Sequence, residues 1–145
     1  MRVRKSAVSA ALAAAGTLSM LATAAPAQAD SIPDSLCGGV IDSHYCLWYN
    51  SNQLGGWTAT TANVANWGNY EGSGYPMHFT NGGQGTNGTG QSVKNNAASY
   101  ANSDYDRTGV SYFNSNYAGA SDVAPPRDKG NLVNTYNNNA SFRWR

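Results

Sequence analysis

A chain of 145 residues accommodates one domain or two very small ones, and its 12% charged residues are about half the share usual in globular proteins. Setting aside Arg2, Arg4 and Lys5, which lie in a segment expected to be removed, six basic groups face eight acidic ones, a net charge of −2. That balance excludes the basic face of a nucleic-acid-binding domain and a polybasic membrane anchor, while 4 Trp, 9 Tyr and 3 Phe supply material for a packed core.

The N-terminus reads as a secretory signal. Met1 to Lys5 is a positive n-region, residues 7–25 are Ala-rich and weakly apolar, and Ala27-Gln28-Ala29 is a small-residue cleavage site before Asp30. Residues 1–29 are therefore expected to be removed, and residues 30–145 to form a single extracellular domain. No later segment approaches the ~18 apolar residues that a membrane span needs, so the mature form is expected to be soluble and monomeric.

Export permits disulfides. Cys37 and Cys46 are the candidates, with Gly38 and Gly39 allowing a tight return between them. The alternative is a metal pair completed by His44.

From residue 30 onward no stretch sustains a 3.6-residue apolar period. Short β-prone runs bounded by turn residues predict strands at 45–49, 57–61, 91–93, 110–113 and 140–144. Residues 71–92 are rich in Gly, Asn and Thr and predict a long, mobile surface loop.

The chain also repeats itself. Tyr49-Asn50-Ser51-Asn52, followed by Gly55, returns as Phe113-Asn114-Ser115-Asn116, followed by Gly119. Asn95-Asn96-Ala97-Ala98-Ser99-Tyr100 returns as Asn137-Asn138-Asn139-Ala140-Ser141-Phe142. The two blocks start 46 residues apart in the first half and 24 in the second, and the 22-residue excess matches the 71–92 insertion. A strand ending in aromatic-N-S-N must turn, because Asn tolerates positive φ and Gly takes it at least cost. In the second block the Ser hydroxyl can tie down a folded corner. Two such four-strand units facing each other predict an all-β, two-sheet sandwich.

The aromatic-x-x-x-x-x-Gly turn with its later Ser corner, present twice, resembles the βγ-crystallin Greek-key motif. Its opening C-G-G…C-L-W-Y-N-S-N-x-x-G-G and later G-Q-S-V-K-N-N-A-A-S resemble secreted actinobacterial proteins of the streptomycete metalloproteinase-inhibitor family. The resemblance covers about residues 37–145. It implies a βγ-crystallin-like sandwich of two Greek keys, at about 37–107 and 108–145, with the Gly/Asn-rich loop inserted in the first. It also implies a peptidase inhibitor acting on thermolysin-like metalloproteases. The family's reactive bond lies on a disulfide-held loop, and no cysteine follows Cys46 to hold one here.

Two segments are candidates for contacting a protease. Residues 71–92 offer Tyr75, Met77 and Phe79. Residues 118–130 offer Val123, Ala124, Pro125, Pro126 and Arg127, with the prolines fixing φ before binding. The latter is favoured, because ordering a Gly-rich loop on binding costs ~0.5–1.5 kcal/mol per immobilised side chain.

By the same resemblance the corners match the first five positions of the calcium signature [ND]-[ND]-x-x-[ST]-S. Asn96, Ser99, Asn138 and Ser141 would then offer side-chain oxygens, with the carbonyls of Ala97 and Asn139. All are neutral, so binding should be weak, and no cofactor is required. The plainer expectation is that they satisfy backbone at the corners.

Catalysis finds little footing. Asp104 and Asp106 beside Arg107 read as a turn with a local ion pair rather than an acid–base pair. His44 reads as a solvated turn residue, and no H-E-x-x-H or G-x-S-x-G occurs. Trp48, Trp57, Trp67 and Trp144 could stack on sugar but are expected to serve the core. The expected activity is that of a non-enzymatic inhibitor with an extracellular protease as partner. The alternatives are a calcium-tuned structural module and a secreted killer-toxin-like protein.

Overall fold

A computed structural model describes Cys37 and residues 43–81 and 84–145. The signal-peptide reading falls on residues 1–29, outside these. The strands are β1 (Tyr45–Trp48), β2 (Trp57–Thr60), β3 (Ser99–Asn102), β4 (Gly109–Asn114), β5 (Ala118–Ala124), β6 (Lys129–Asn131) and β7 (Ser141–Trp144). They form two antiparallel sheets, ordered β2-β1-β3-β6 and β5-β4-β7.

The sheet orders show two interlocked Greek keys. The first runs β1, β2, residues around Val64, then β3; the second runs β4, β5, β6, β7. In each, the third segment crosses to the other sheet. Strand β6 of the second key pairs with β3 of the first. Val64 of the first key makes an antiparallel bridge to Phe142 in β7, each amide donating to the other's carbonyl at 2.8 Å. Neither key can complete its sheet without the other, so they constitute one folding unit.

Strand alternation explains the packing. Tyr45 and Leu47 point between the sheets and join Val64, Trp67, Phe79, Val93, Ala97, Tyr100, Ala124, Leu132 and Phe142 in the core. Tyr45 stacks on Phe142 with centroids 4.0 Å apart, and its hydroxyl meets Ser111 Oγ at 2.9 Å. Burial holds that phenol's pKa well above its ordinary value. The intervening Cys46 and Trp48 point the other way. With Ala101, Trp57 and Ala59 they form a second apolar cluster, into which Cys37 is drawn by the Cys37–Cys46 disulfide. The bridge replaces the metal alternative, since both sulfurs are consumed. Closing a loop that short stabilises by about 2.5–3 kcal/mol on the chain-entropy account.

The repeat is visible in backbone geometry. Asn52, Gln53 and Gly55 carry φ of 61°, 59° and 82°; Asn116, Tyr117 and Gly119, 64 positions on, carry 60°, 62° and 82°. A Cβ on Gly55 would sit 2.7 Å from the Asn87 carbonyl oxygen, and one on Gly119 2.8 Å from Asn114 Nδ2. Both positions favour glycine through φ, and at Gly55 the backbone oxygen leaves no space for a side chain either. Ser99 Oγ donates to the Asn50 carbonyl at 2.6 Å and accepts from Gln53 N at 3.0 Å. Ser141 Oγ does the same with Asn114 O and Tyr117 N, at the same two distances. The corner serines thus lock the hairpins.

Three expectations require correction. The described residues 71–81 and 84–92 are not a mobile loop. Phe79 is buried, Thr80 and Trp57 exchange backbone bonds at 2.8 and 2.9 Å, and Met77, Phe79, Gly90 and Val93 all donate into the same backbone network. The strand expected at 91–93 is reduced to a single bridge, His78 to Ser92. Segment 118–130, expected as a candidate inhibitory loop around Val123 to Arg127, is strand β5, a turn at 125–128 and strand β6.

Candidate functional site

Strand β5 is an outer edge of its sheet, paired on one side with β4. Val123 lies near its end and is 54% exposed; Ala124 is fully buried and anchors the strand to the core. The chain then turns through Pro125, Pro126, Arg127 and Asp128 into β6. Arg127 adopts φ of 60°, a strained choice for a long side chain. The strain is offset by a dense set of bonds from the first key. Asn102, which is 2% exposed, directs Nδ2 at the carbonyls of Ala124 (3.0 Å), Pro125 (2.9 Å) and Arg107 (2.8 Å). Asn102 N donates to Asp128 O at 2.8 Å, and Arg127 N to Asp104 O at 3.0 Å. The Arg127 guanidinium donates to Ser103 O at 2.9 Å and lies 4.6 Å from the Tyr105 ring centre.

Of the candidate residues, Val123, Pro125 and Arg127 are exposed, and Pro126 is half-buried. Arg127, expected as a side chain for a partner's pocket, also ties the turn to β3's continuation. The rival segment 71–92 presents Tyr75, 76% exposed, but commits Phe79 to the core and half-buries Met77.

Asp104 is 4% exposed and works as a clamp. Its Oδ1 accepts from Asp106 N (2.8 Å) and Arg107 N (2.7 Å), and its Oδ2 from Arg107 Nε (2.7 Å). Desolvation alone would raise its pKa; the bonds from Arg107 and Asp106 outweigh it and lower the pKa to about 2. A carboxylate held so acidic and so occupied is unsuited to passing protons near neutral pH. Asp106 is exposed and contributes its amide to the clamp. His44 exchanges backbone and hydroxyl bonds with Ser103 rather than lying free in a turn. Trp48 and Trp67 are fully buried, Trp57 is half-buried against the Trp48 cluster, and Trp144 is half-buried with Arg107 4.3 Å from its ring, so none of the four is an exposed platform.

The two corners face each other across a local pseudo-dyad. Asn95 (φ 63°) donates its amide to Asn139 O, and Asn137 (φ 52°) donates to Ala97 O, both at 2.8 Å. Asn139 is buried, accepting from Ala97 N and donating to Val93 O.

Part of the expected calcium ligand set is already engaged by the hairpins and corners. The Ser99 and Ser141 hydroxyls already each donate and accept a hydrogen bond in the hairpins. Asn96 Nδ2 donates to Ser92 O and Lys94 O, and Asn138 Nδ2 to Tyr136 O. The Ala97 and Asn139 carbonyls accept the reciprocal amides. No cluster of three His, Cys, Asp or Glu side chains is present among the described residues. Since affinity for calcium rises with ligand charge, addition of ~10 mM calcium should move the melting midpoint by no more than about one degree. A rise of several degrees in differential scanning fluorimetry would show that the corners do take the ion.

No protein-family model matches the chain, and no curated protein matches it in sequence. A solved structure described as "Evolution of the eye lens beta-gamma-crystallin domain fold" is similar over 71% of this chain and 85% of that one, with 9% identity and a TM-score of 0.49. Likeness at that level adds no weight of its own. The assignment of an all-β sandwich of two Greek keys stands on the exchanged third segments and the twice-repeated hairpin lock.

Proposed function

We propose that the protein is a secreted, non-enzymatic Greek-key module that inhibits an extracellular peptidase of the thermolysin-like class by steric occupation of its cleft. The observation that supports this reading is the β5 edge running into the 125–128 turn. An extended edge strand can add to a protease's substrate-binding backbone, and Val123 and Pro125 stand outward beside it. The turn is fixed in advance by Asn102, Asp104 and Arg127, so little conformational entropy remains to be lost on docking.

The test is a panel of metallo- and serine proteases incubated with residues 30–145. Inhibition of a thermolysin-like enzyme is expected, and Val123→Ala should weaken it at least tenfold, about 1.4 kcal/mol. Arg127→Gly should cost less, because glycine accepts the φ of 60° that arginine does not. If Tyr75→Ala abolishes inhibition while Val123→Ala does not, the 71–92 segment is the reactive one. No inhibition of any metalloprotease would leave a structural crystallin-type module as the better reading.

A further inference from the structure

One groove lies apart from the inhibitory edge and borders the second corner at Asn138. It lies between the first corner and the β4–β5 hairpin, has a volume of about 210 Å³, and is lined by Lys94, Asn95, Phe113, Asn114, Ser115, Asn138 and Ala140. It sits at the Asn114 end of β4, whereas the 125–128 turn sits at the Gly109 end. Six strand residues place the two about 17 Å apart.

The groove's distinguishing member is Lys94. Its stem is held over Gly68, where an added Cβ would come within 2.9 Å of Lys94 Cδ. Its ammonium meets Ser115 Oγ at 3.4 Å, a long bond that engages one of three donors. Among the described residues no carboxylate lies within salt-bridge distance of it. A positioned, half-buried cation with donors to spare attracts an anion and repels a dication.

The remaining lining narrows the anion. Phe113 is 41% exposed and offers an apolar ring face beside the lysine. Asn95, Asn114, Asn138 and Ser115 bring amides and a hydroxyl that can both donate and accept. A bare phosphate would accept from the amides but leave the ring face and the lining's acceptors unused, whereas a pyranose uses all of them, its C–H face on the ring and its hydroxyls on the amides. The volume falls below the roughly 300–1,000 Å³ of sites for drug-sized molecules and suits a single sugar ring. The related position in the second corner, 42 residues on, is Tyr136 in place of Lys94, so the basic character belongs to one groove.

We infer that this groove binds a carboxylate-bearing sugar, a uronic acid unit of an acidic polysaccharide, with Lys94 on the carboxylate and Phe113 against the ring. The experiment is titration calorimetry of residues 30–145 with a galacturonate trisaccharide, the matching neutral galactose trisaccharide and inorganic phosphate. The acidic trisaccharide is expected to bind, and to bind more weakly as salt screens the charge. Lys94→Met should weaken binding at least tenfold and Phe113→Ala about fivefold. Lys129→Met, an exposed lysine on β6, should leave it unchanged, and unaltered melting of each variant excludes a folding defect. Four results would each overturn the inference: no binding at ~10 mM, equal binding of the neutral sugar, equal binding of phosphate, or indifference to Lys94→Met.

Discussion

Replacing Asn102 with alanine should lower the free energy of unfolding by about 3–5 kcal/mol, a large part of the stability of a domain this size. The side chain is buried, its Nδ2 serves three carbonyls, and its Oδ1 accepts from Asp104 N at 3.0 Å. Deletion strands several backbone groups at once, each costing about 1–3 kcal/mol where water cannot reach it. Asn102→Asp should be at least as damaging although it is nearly isosteric, because it turns a donor facing three carbonyls into an acceptor. Urea unfolding of both variants checks this; a loss below about 1 kcal/mol for alanine would mean that water replaces the amide. The same residue joins the two keys, reaching from β3 into the 125–128 turn, so a folded Asn102→Ala protein should also inhibit less well than its parent.

How much of this was legible in the sequence varies with the range of the interaction. The doubled hairpin was readable because its constraint is local: Asn at positive φ, then Gly55 or Gly119, where φ favours glycine. The serine lock was half-legible, since Ser99 and Ser141 could be seen as corner residues but their hairpin partners lie 49 and 27 positions away. Strand β5, A-G-A-S-D-V-A, carries one β-branched residue and three exposed small ones; its conformation is imposed by pairing with β4, which composition does not reveal. Strand β3 was hidden for the opposite reason. All four of its residues are buried, two of them polar, so no apolar alternation marks it. The segment 71–92 looked mobile because Gly and Asn dominate it, yet one aromatic, Phe79, packs against Tyr49 at 5.8 Å and backbone bonds from Met77, Phe79, Thr80 and Gly90 hold its neighbours. Arg127's role could not be inferred from Pro125-Pro126, because its partners, Ser103 and Tyr105, belong to the other key. Lys94 drew no notice beside the Asn-rich corner, and its significance emerges only when the second key's hairpin closes over it.

Acid should remove about 2 kcal/mol of stability through Asp104 alone. Its pKa falls from an ordinary 3.8 to about 2 in the folded protein, held there by the Arg107 and Asp106 amides and the Arg107 side chain against the opposing effect of desolvation. A group more acidic when folded binds fewer protons than its unfolded counterpart. Its contribution is therefore complete above about pH 5, declines as pH falls through the unfolded value, and is gone below about pH 2. The magnitude follows from 1.36 kcal/mol per unit of pKa difference, with little screening because the carboxylate side chain is 5% exposed. Asp104→Asn removes the charge at every pH. The stability gap between wild type and variant, from urea unfolding at pH 7, 4 and 2.5, should narrow steadily towards acid by about that amount. A gap that stays constant with pH would show that the clamp depends on hydrogen-bond geometry and not on charge.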